Sequence, residues 1–183
     1  MIAIRETEDT ELDAILAVEL NAFNDDQEIK TLVTNLFYDQ SARPLISLMA
    51  FDKECGVGHI YLSHARLRQS DVTAAMRTML LAPLAVVQSH QKQGIGQQLI
   101  YRALDDARQI GVDAVFVLGH PEYYPRCGFT PAGVRGFDAP YPIPKKNADA
   151  WMVIELTKGI LSQASGGTLA CADSLMKPEY WRE

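Results

Sequence analysis

The stretch from residue 79 to residue 118 constrains the fold most. MLLAPLAVV (79–87) is too apolar for an edge strand and reads as a central one. A polar corner follows, and then Gly94-Ile95-Gly96. GQQLIYRALDDARQIG carries Leu99, Ile100, Ala103, Leu104 and Ala107 on one helical face, with Gly111 as its C-terminal stop. Ala114 to Leu118 is a short apolar strand. Strand, glycine loop, helix and strand in this order point to an α/β domain with a mixed sheet. Pro83 cannot donate to a ladder, so a break or bulge is expected near it.

The flanking segments supply the rest. Ile2 to Arg5 alternates like a strand, and Asp9 offers an N-cap for TELDAILAVELNAF, with Leu12, Ile15, Leu16, Val18 or Glu19, and Leu20 at helical spacing. EIKTLVTNLFYD places Ile29, Leu32, Val33, Leu36 and Phe37 on one face, and Pro44 ends that region. LISLMAFD (45–52) and GVGHIYLSHARL (56–67) read as a hairpin, and WMVIEL (151–156) as a further strand. PEYYPRCGF reads as a short helix entering a turn. Residues 131–150, rich in Pro and Gly, read as a long functional or covering loop. SQASGGT (162–168) is flexible in composition, and the last fifteen residues read as a small appendage.

Composition excludes several classes. A chain of 183 residues, 48% of them hydrophobic, can bury a full core without metal or disulfide staples. Its net charge of -6 supplies no basic field for nucleic acid or an anionic membrane. Cys55, Cys127 and Cys171 lie far apart with no C-x-x-C pair, so neither a disulfide framework nor a zinc site is indicated. MIAIRETEDT lacks the basic and apolar regions of a signal peptide, and no apolar run is long enough to span a bilayer. The expectation is a soluble, cytoplasmic protein with reduced thiols.

The glycine loop admits more than one explanation. Glycines at 94 and 96 let backbone N–H groups converge, and the first turn of a helix suits a phosphate or pyrophosphate. A strand-to-helix turn whose glycines serve packing alone fits the same residues. A Rossmann fingerprint is a poor match, because Leu99 stands where a third glycine or alanine belongs. A P-loop also fails, since no Gly-Lys-Ser/Thr follows.

Gln91-Lys92-Gln93-Gly94-Ile95-Gly96 resembles the Q/R-x-x-G-x-G/A loop of the GNAT superfamily of acetyl-CoA-dependent N-acetyltransferases. Tyr124-Pro125-Arg126-Cys127-Gly128-Phe129 is similar to the family's Y-x-x-x-G-F segment, and VLGHPEYYPRCGFTPAG to a bacterial branch that usually carries L-G-D-P-x-Y-Y-x-R-F-G-F. The similarity spans roughly residues 2 to 157 and is clearest from 79 to 130. Three positions depart from the pattern: His120 stands for the usual Asp, Cys127 for an aromatic, and Gln91 for the commoner Arg.

The resemblance implies a GNAT fold: a mixed central sheet of about six to seven strands, flanked by helices, with two parallel central strands splayed apart after Val87 and Leu118. It implies a domain over residues 1–160 and an appendage at 161–183 that packs on or extends it and is a candidate homodimer surface. It also implies acetyl-CoA as co-substrate, no metal, and direct transfer of the acetyl group to a small-molecule or peptide amine. The cofactor residues would be Val86, Val87, Gln91, Lys92, Gln93, Gly94, Ile95, Gly96 and Gln97. Amides of Gln93 to Gln97 would hold the pyrophosphate, and backbone groups of Val86 and Val87 the pantetheine, with the Val87 amide as oxyanion donor. Tyr124 would protonate the departing thiolate, and His120, at the end of a central strand, is a candidate base.

Other candidates are weaker. His59, His64 and Glu28 are further base candidates, Tyr123 is assigned to packing, and Cys127 lacks the partners of a nucleophile. Asp25, Asp26 and Glu28 hint at a cationic acceptor, although a solvated helix start accounts for them as well. A non-catalytic acyl-CoA-binding or sensing module is the alternative function, and dinucleotide binding a third.

Overall fold

A nine-stranded open sheet forms the centre of the chain, whose computed structural model describes residues 1–68 and 76–182. The elements are β1 Ile2–Glu6, α1 Leu12–Ala22, α2 Gln27–Tyr38, β2 Leu45–Asp52, β3 Cys55–Arg68, β4 Arg77–Val86 and α3 Ile95–Gln109. They continue with β5 Ala114–Leu118, β6 Thr130–Pro131, β7 Phe137–Asp138, β8 Trp151–Glu155, α4 Ile160–Gln163 and β9 Gly167–Ala170. Seven strands follow the order β1-β2-β3-β4-β5-β8-β6, while β9 pairs with β3 and β7 off that path. The expected six or seven strands correspond to this main path. The extra pairings include the two-residue β7, too short to read from a sequence pattern.

Successive residues of the central strands enter opposite layers. Val115 and Val117 of β5 join Leu48, Ile60 and Leu62 against α3, whose Leu99, Ile100, Ala103, Leu104 and Ala107 are all buried. Phe116, between them, faces the other way into a cluster with Ile15, Leu32, Leu36, Tyr61, Leu80 and Trp151. That second layer takes in α1, α2 and the C-terminal residues Leu175 and Trp181.

The β4–β5 relation creates an opening. Parallel pairing runs from Thr78↔Ala114 to Leu81↔Val117, and β4 then runs on to Val86 alongside β3. The β3–β4 register passes from Leu62↔Leu81 to Ile60↔Leu84, so Ala82 and Pro83 together oppose Tyr61. This two-against-one bulge stands where the proline predicted it and bends β4 away from β5.

Two local expectations change. Asp9 does not cap α1; Glu11 holds the N-cap position, and its carboxylate accepts from Arg5 Nη1 and Nη2 at 2.9 and 2.7 Å and from the Glu8 amide. No side chain caps α1, and the Arg5 bond holds the Glu11 carboxyl down at about 2. Residues 131–150, expected as a long functional or covering loop, carry β7 and short 3-10 turns and line none of the cleft described below, and Phe137 is fully buried with its carbonyl accepting from the Trp151 indole.

The C-terminal segment is tied back by one carboxylate. Asp39, just after α2, accepts from the Ser41 amide and hydroxyl through Oδ1, and from the Ser174 amide and hydroxyl through Oδ2. Burial works against ionisation of Asp39, but these four bonds outweigh it and bring the carboxyl to about 2. A carboxyl lowered on folding contributes stability that is present above its unfolded range near pH 4 and is lost as pH falls through about 2. Asp39→Ala should therefore remove roughly 2 kcal/mol at pH 7 by linkage. Denaturant titrations at pH 7 and pH 2.5 should show the variant and parent converging at the acid end, and an equal gap at both would refute the assignment.

Candidate functional site

One cleft of about 770 Å³ opens where β4 and β5 part. On the α3 side its walls include Leu84, Val86, Gln91, Lys92, Gly94, Ile95, Gly96 and Gln97. The end of β5 and the turn after it contribute Leu118, Gly119, His120, Tyr123 and Tyr124. Most of the candidates scattered over 86–97 and 120–124 thus face one space. Val87 and Gln93 do not line it, nor do His59, His64 and Glu28.

The loop before α3 has an identifiable construction. Gly94 holds the N-cap with φ 81° and ψ 2°, a left-handed conformation, and a Cβ there would meet open space. Glycine is required at 94 for its backbone, not for room. At Gly96 the reason is the reverse, since a Cβ would collide with the Tyr123 hydroxyl. The first bond of α3 runs from the Gln98 amide to the Gly94 carbonyl, and no side chain caps the helix. The amides of Ile95, Gly96 and Gln97 therefore stand at the positive end of a fifteen-residue helix, the arrangement that receives an anion.

The edge of β4 is set by ladder alternation. The Val87 amide donates to the Val57 carbonyl at 2.9 Å, and the Val87 carbonyl accepts from the His90 amide. Both polar groups of Val87 are therefore committed, and its expected service as oxyanion donor and pantetheine partner does not fit. In an antiparallel pair hydrogen-bonded and non-bonded residues alternate, so the Val86 and Leu84 groups turn to the opposite edge, toward the cleft. The Gln91 side chain folds back and donates to the Val86 carbonyl at 3.1 Å. Leu84 was missed at the sequence level, although stepping back two residues from Val86 identifies it.

The turn after β5 brings the aromatic groups. Tyr124 is buried, with its ring against Gly119 and edge-on to Tyr123 and Phe129 at centroid distances of 5.2 and 5.6 Å. Tyr123, assigned to packing, instead lines the cleft and brings its hydroxyl to the first turn of α3. Burial pushes its phenol up to about 12, so it is a neutral donor at physiological pH. His120 is exposed on the wall, and its Nδ1 accepts the Glu122 amide at 3.3 Å. Cys127 is buried, and burial pushes its thiol up, away from nucleophilic use.

His59 is withdrawn from the site altogether. It is fully buried beneath α1, with Nδ1 2.6 Å from Glu19 Oε1 and Nε2 3.2 Å from Ser47 Oγ. Among the described residues, no group of three or more His, Cys, Asp or Glu side chains is arranged to hold a metal, and no helix is long and apolar enough to cross a membrane.

A splayed parallel pair, a bulged β4 and an uncapped glycine-led helix facing one cleft match a known family. The profile of the Acetyltransferase (GNAT) family matches residues 11–129. The chain belongs to the GNAT family of acyltransferases. The uncharacterised N-acetyltransferase YjhQ of Escherichia coli K12 is 40% identical to this GNAT protein over 168 residues, covering 91% of this chain and 90% of YjhQ. YhbS, another uncharacterised N-acetyltransferase of Escherichia coli K12, is 34% identical over 119 residues, which is 64% of this chain and 65% of YhbS. The crystal structure of Escherichia coli YhbS in complex with CoA superposes with a TM-score of 0.83 at 26% identity, covering 96% of this chain and 92% of that one. A Brucella melitensis GNAT acetyltransferase in complex with acetyl-CoA shares the fold at a TM-score of 0.72 and 21% identity, with coverage of 96% and 98%.

Proposed function

We propose that the protein binds acetyl-CoA in the cleft between β4 and β5 and transfers the acetyl group directly to a primary amine. The observation that carries this reading is the uncapped first turn of α3 opening onto the same cleft as Tyr124 and the edge of β4 that faces away from β3. The likeness to YhbS, crystallised with CoA, supports it.

In this reading the amides of Ile95, Gly96 and Gln97 receive the pyrophosphate, with Lys92 alongside and Gly94 shaping the turn, while Gln93, outside the cleft lining, drops out of the expected set. Val86 and Leu84 pair with the pantetheine amides as an added strand would, once Gln91 releases the Val86 carbonyl. The thioester then lies near the bulge, where the Leu84 N–H replaces that of Val87 as the donor to the developing oxyanion.

The acceptor enters as an ammonium ion with a pKa of about 10.4 and must lose a proton before it attacks. His120 takes that proton after exchanging its long Nδ1 contact with the Glu122 amide. The neutral amine nitrogen bonds to the acetyl carbonyl carbon, and the carbon–sulfur bond breaks as the tetrahedral intermediate collapses. Tyr124 gives its phenolic proton to the thiolate, and the proton lost by nitrogen restores the phenol. The products are an N-acetyl amide and CoA thiol.

Calorimetry with acetyl-CoA tests the first step: micromolar binding is expected, and no heat at millimolar ligand would refute the reading. His120→Gln should lower kcat/KM roughly 10²-fold at pH 7, and the deficit should shrink toward pH 10, where the amine loses its proton unaided. A deficit independent of pH would remove His120 from the proton path.

A further inference from the structure

The cleft does not end at the cofactor loop. It passes between β4 and β5 to the other face of the sheet, where α1, α2 and the C-terminal segment pack. The wall there consists of Phe23, Ile29, Leu32, Leu175, Tyr180 and Trp181. All six are apolar or aromatic. Leu32, Leu175 and Trp181 are core residues, 7%, 2% and 3% exposed, and still present a surface to the cleft. Residues 131–150, the loop expected to cover a site, contribute none of the lining.

This wall is held in place without a ligand. The Ser174 amide and hydroxyl are fixed by Asp39, and the Asp173 amide donates to Ser41 Oγ at 2.8 Å. The Trp181 indole N–H donates to the Leu175 carbonyl at 2.9 Å, and its ring stands edge-on to Trp151 at 5.7 Å. The Tyr141 hydroxyl donates to the Met176 carbonyl at 3.0 Å. Such a surface need not be ordered on binding, which favours a ligand that fills it.

Glu28, Lys177 and Glu179 are not part of the cleft's lining and stand around Tyr180 from outside it. Glu28, in the first turn of α2, and the exposed Glu179 both act on Tyr180, while Lys177 Nζ stands 5.8 Å above its ring. A charge held against this wall would meet only apolar and aromatic side chains and stay unpaired.

Resting on the acetyl-transfer reading above, we infer that the acceptor is a monoamine whose carbon skeleton is aromatic or branched aliphatic, seated against the C-terminal wall with its nitrogen toward the thioester. Tyr180 and Phe23 are its specificity-determining contacts. The C-terminal segment is thereby part of the acceptor site and not a separate appendage. Polyamines, aminoglycosides and extended lysine peptides carry too many polar groups for this wall.

The test uses the full chain and first measures acetyl-CoA binding by calorimetry. A panel of phenethylamine, tryptamine, isopentylamine, spermidine, kanamycin and a lysine peptide is then assayed by release of free thiol. The expected result is a kcat/KM at least tenfold higher for the first three amines than for the last three. Phe23→Ala and Tyr180→Ala, at partly exposed positions, should each raise KM for phenethylamine about tenfold with little change in kcat or in acetyl-CoA affinity. Preference for spermidine, kanamycin or the peptide overturns the inference and leaves acetyl transfer standing, as do KM values unmoved by both substitutions. Acetyl-CoA bound but no amine acetylated overturns the inference and the transfer step together. Absence of acetyl-CoA binding removes the reading on which the inference rests.

Discussion

Tyr124→Phe should lower kcat by about 10²- to 10³-fold while acetyl-CoA affinity stays within about twofold of the parent. The buried ring packs against Gly119, Phe129 and Tyr123, and phenylalanine preserves every one of those ring contacts. With that packing kept, a loss of turnover in a variant that still binds acetyl-CoA would report the hydroxyl. Removing the proton donor leaves a thiolate to depart unaided, so the deficit belongs in kcat rather than in ground-state binding. Tyr123→Phe is the control from the adjacent position. Its hydroxyl stands at the first turn of α3, where the pyrophosphate is proposed to sit, so its loss should weaken acetyl-CoA binding and spare the chemical step. Single-turnover rates with a saturating amine, alongside calorimetry, separate the two. Full kcat in Tyr124→Phe would remove it as the acid, and weakened cofactor binding instead would recast it as a binding residue. Cofactor binding without turnover in the parent would favour the acyl-CoA-sensing alternative.

The legible parts of the chain are those written in local pattern. The five residues assigned to the inner face of α3 are all buried, because a 3.6-residue period needs no knowledge of the partner surface. Pro83 announced the bulge for an equally local reason, since it has no N–H to give. Gly94 and Gly96 were legible as a loop but not as two different requirements. One answers to φ and the other to a tyrosine hydroxyl some thirty residues away. Val87 was misassigned because its ladder parity depends on the register with β3, which the bulge resets. The role of 173–181 as a cleft wall was invisible for a similar reason: Asp39 and Ser174 meet across the whole chain, and neither carries a mark of it. Glu19 illustrates the same limit inside a recognised helix. The period left Val18 or Glu19 on the inner face; both are buried, and only the tertiary partner explains a carboxylate there.

That partner makes Glu19–His59 the site of the largest expected stability effect. The pair joins α1 to β3 at 2.6 Å with no exposure of either side chain, and His59 continues to Ser47 Oγ, which lies 2.6 Å from Thr7 Oγ1. Glu19 Oε2 and the Tyr61 hydroxyl, buried in the same layer, have no hydrogen-bond partner among the described residues. Burial raises the Glu19 carboxyl above its ordinary range, and the hydrogen bond and charge of His59 oppose that rise. His59→Ala leaves the carboxylate buried and unpaired, which should cost about 3–5 kcal/mol at pH 8. The sign with pH follows from the raised carboxyl. A folded-state carboxyl that holds its proton more tightly than the unfolded chain contributes stability present at low pH and lost as pH rises through its folded value. Without His59 that rise is unopposed, so the destabilisation should be smaller at pH 5 than at pH 8. Urea denaturation at the two pH values reads the difference directly. Replacing both partners by apolar groups, as in Glu19→Leu with His59→Phe, should cost less than His59→Ala alone, because no charge is then left behind. Equal losses at both pH values, or a double substitution worse than the single by the full sum, would mean that the pair acts through packing and not through its charge.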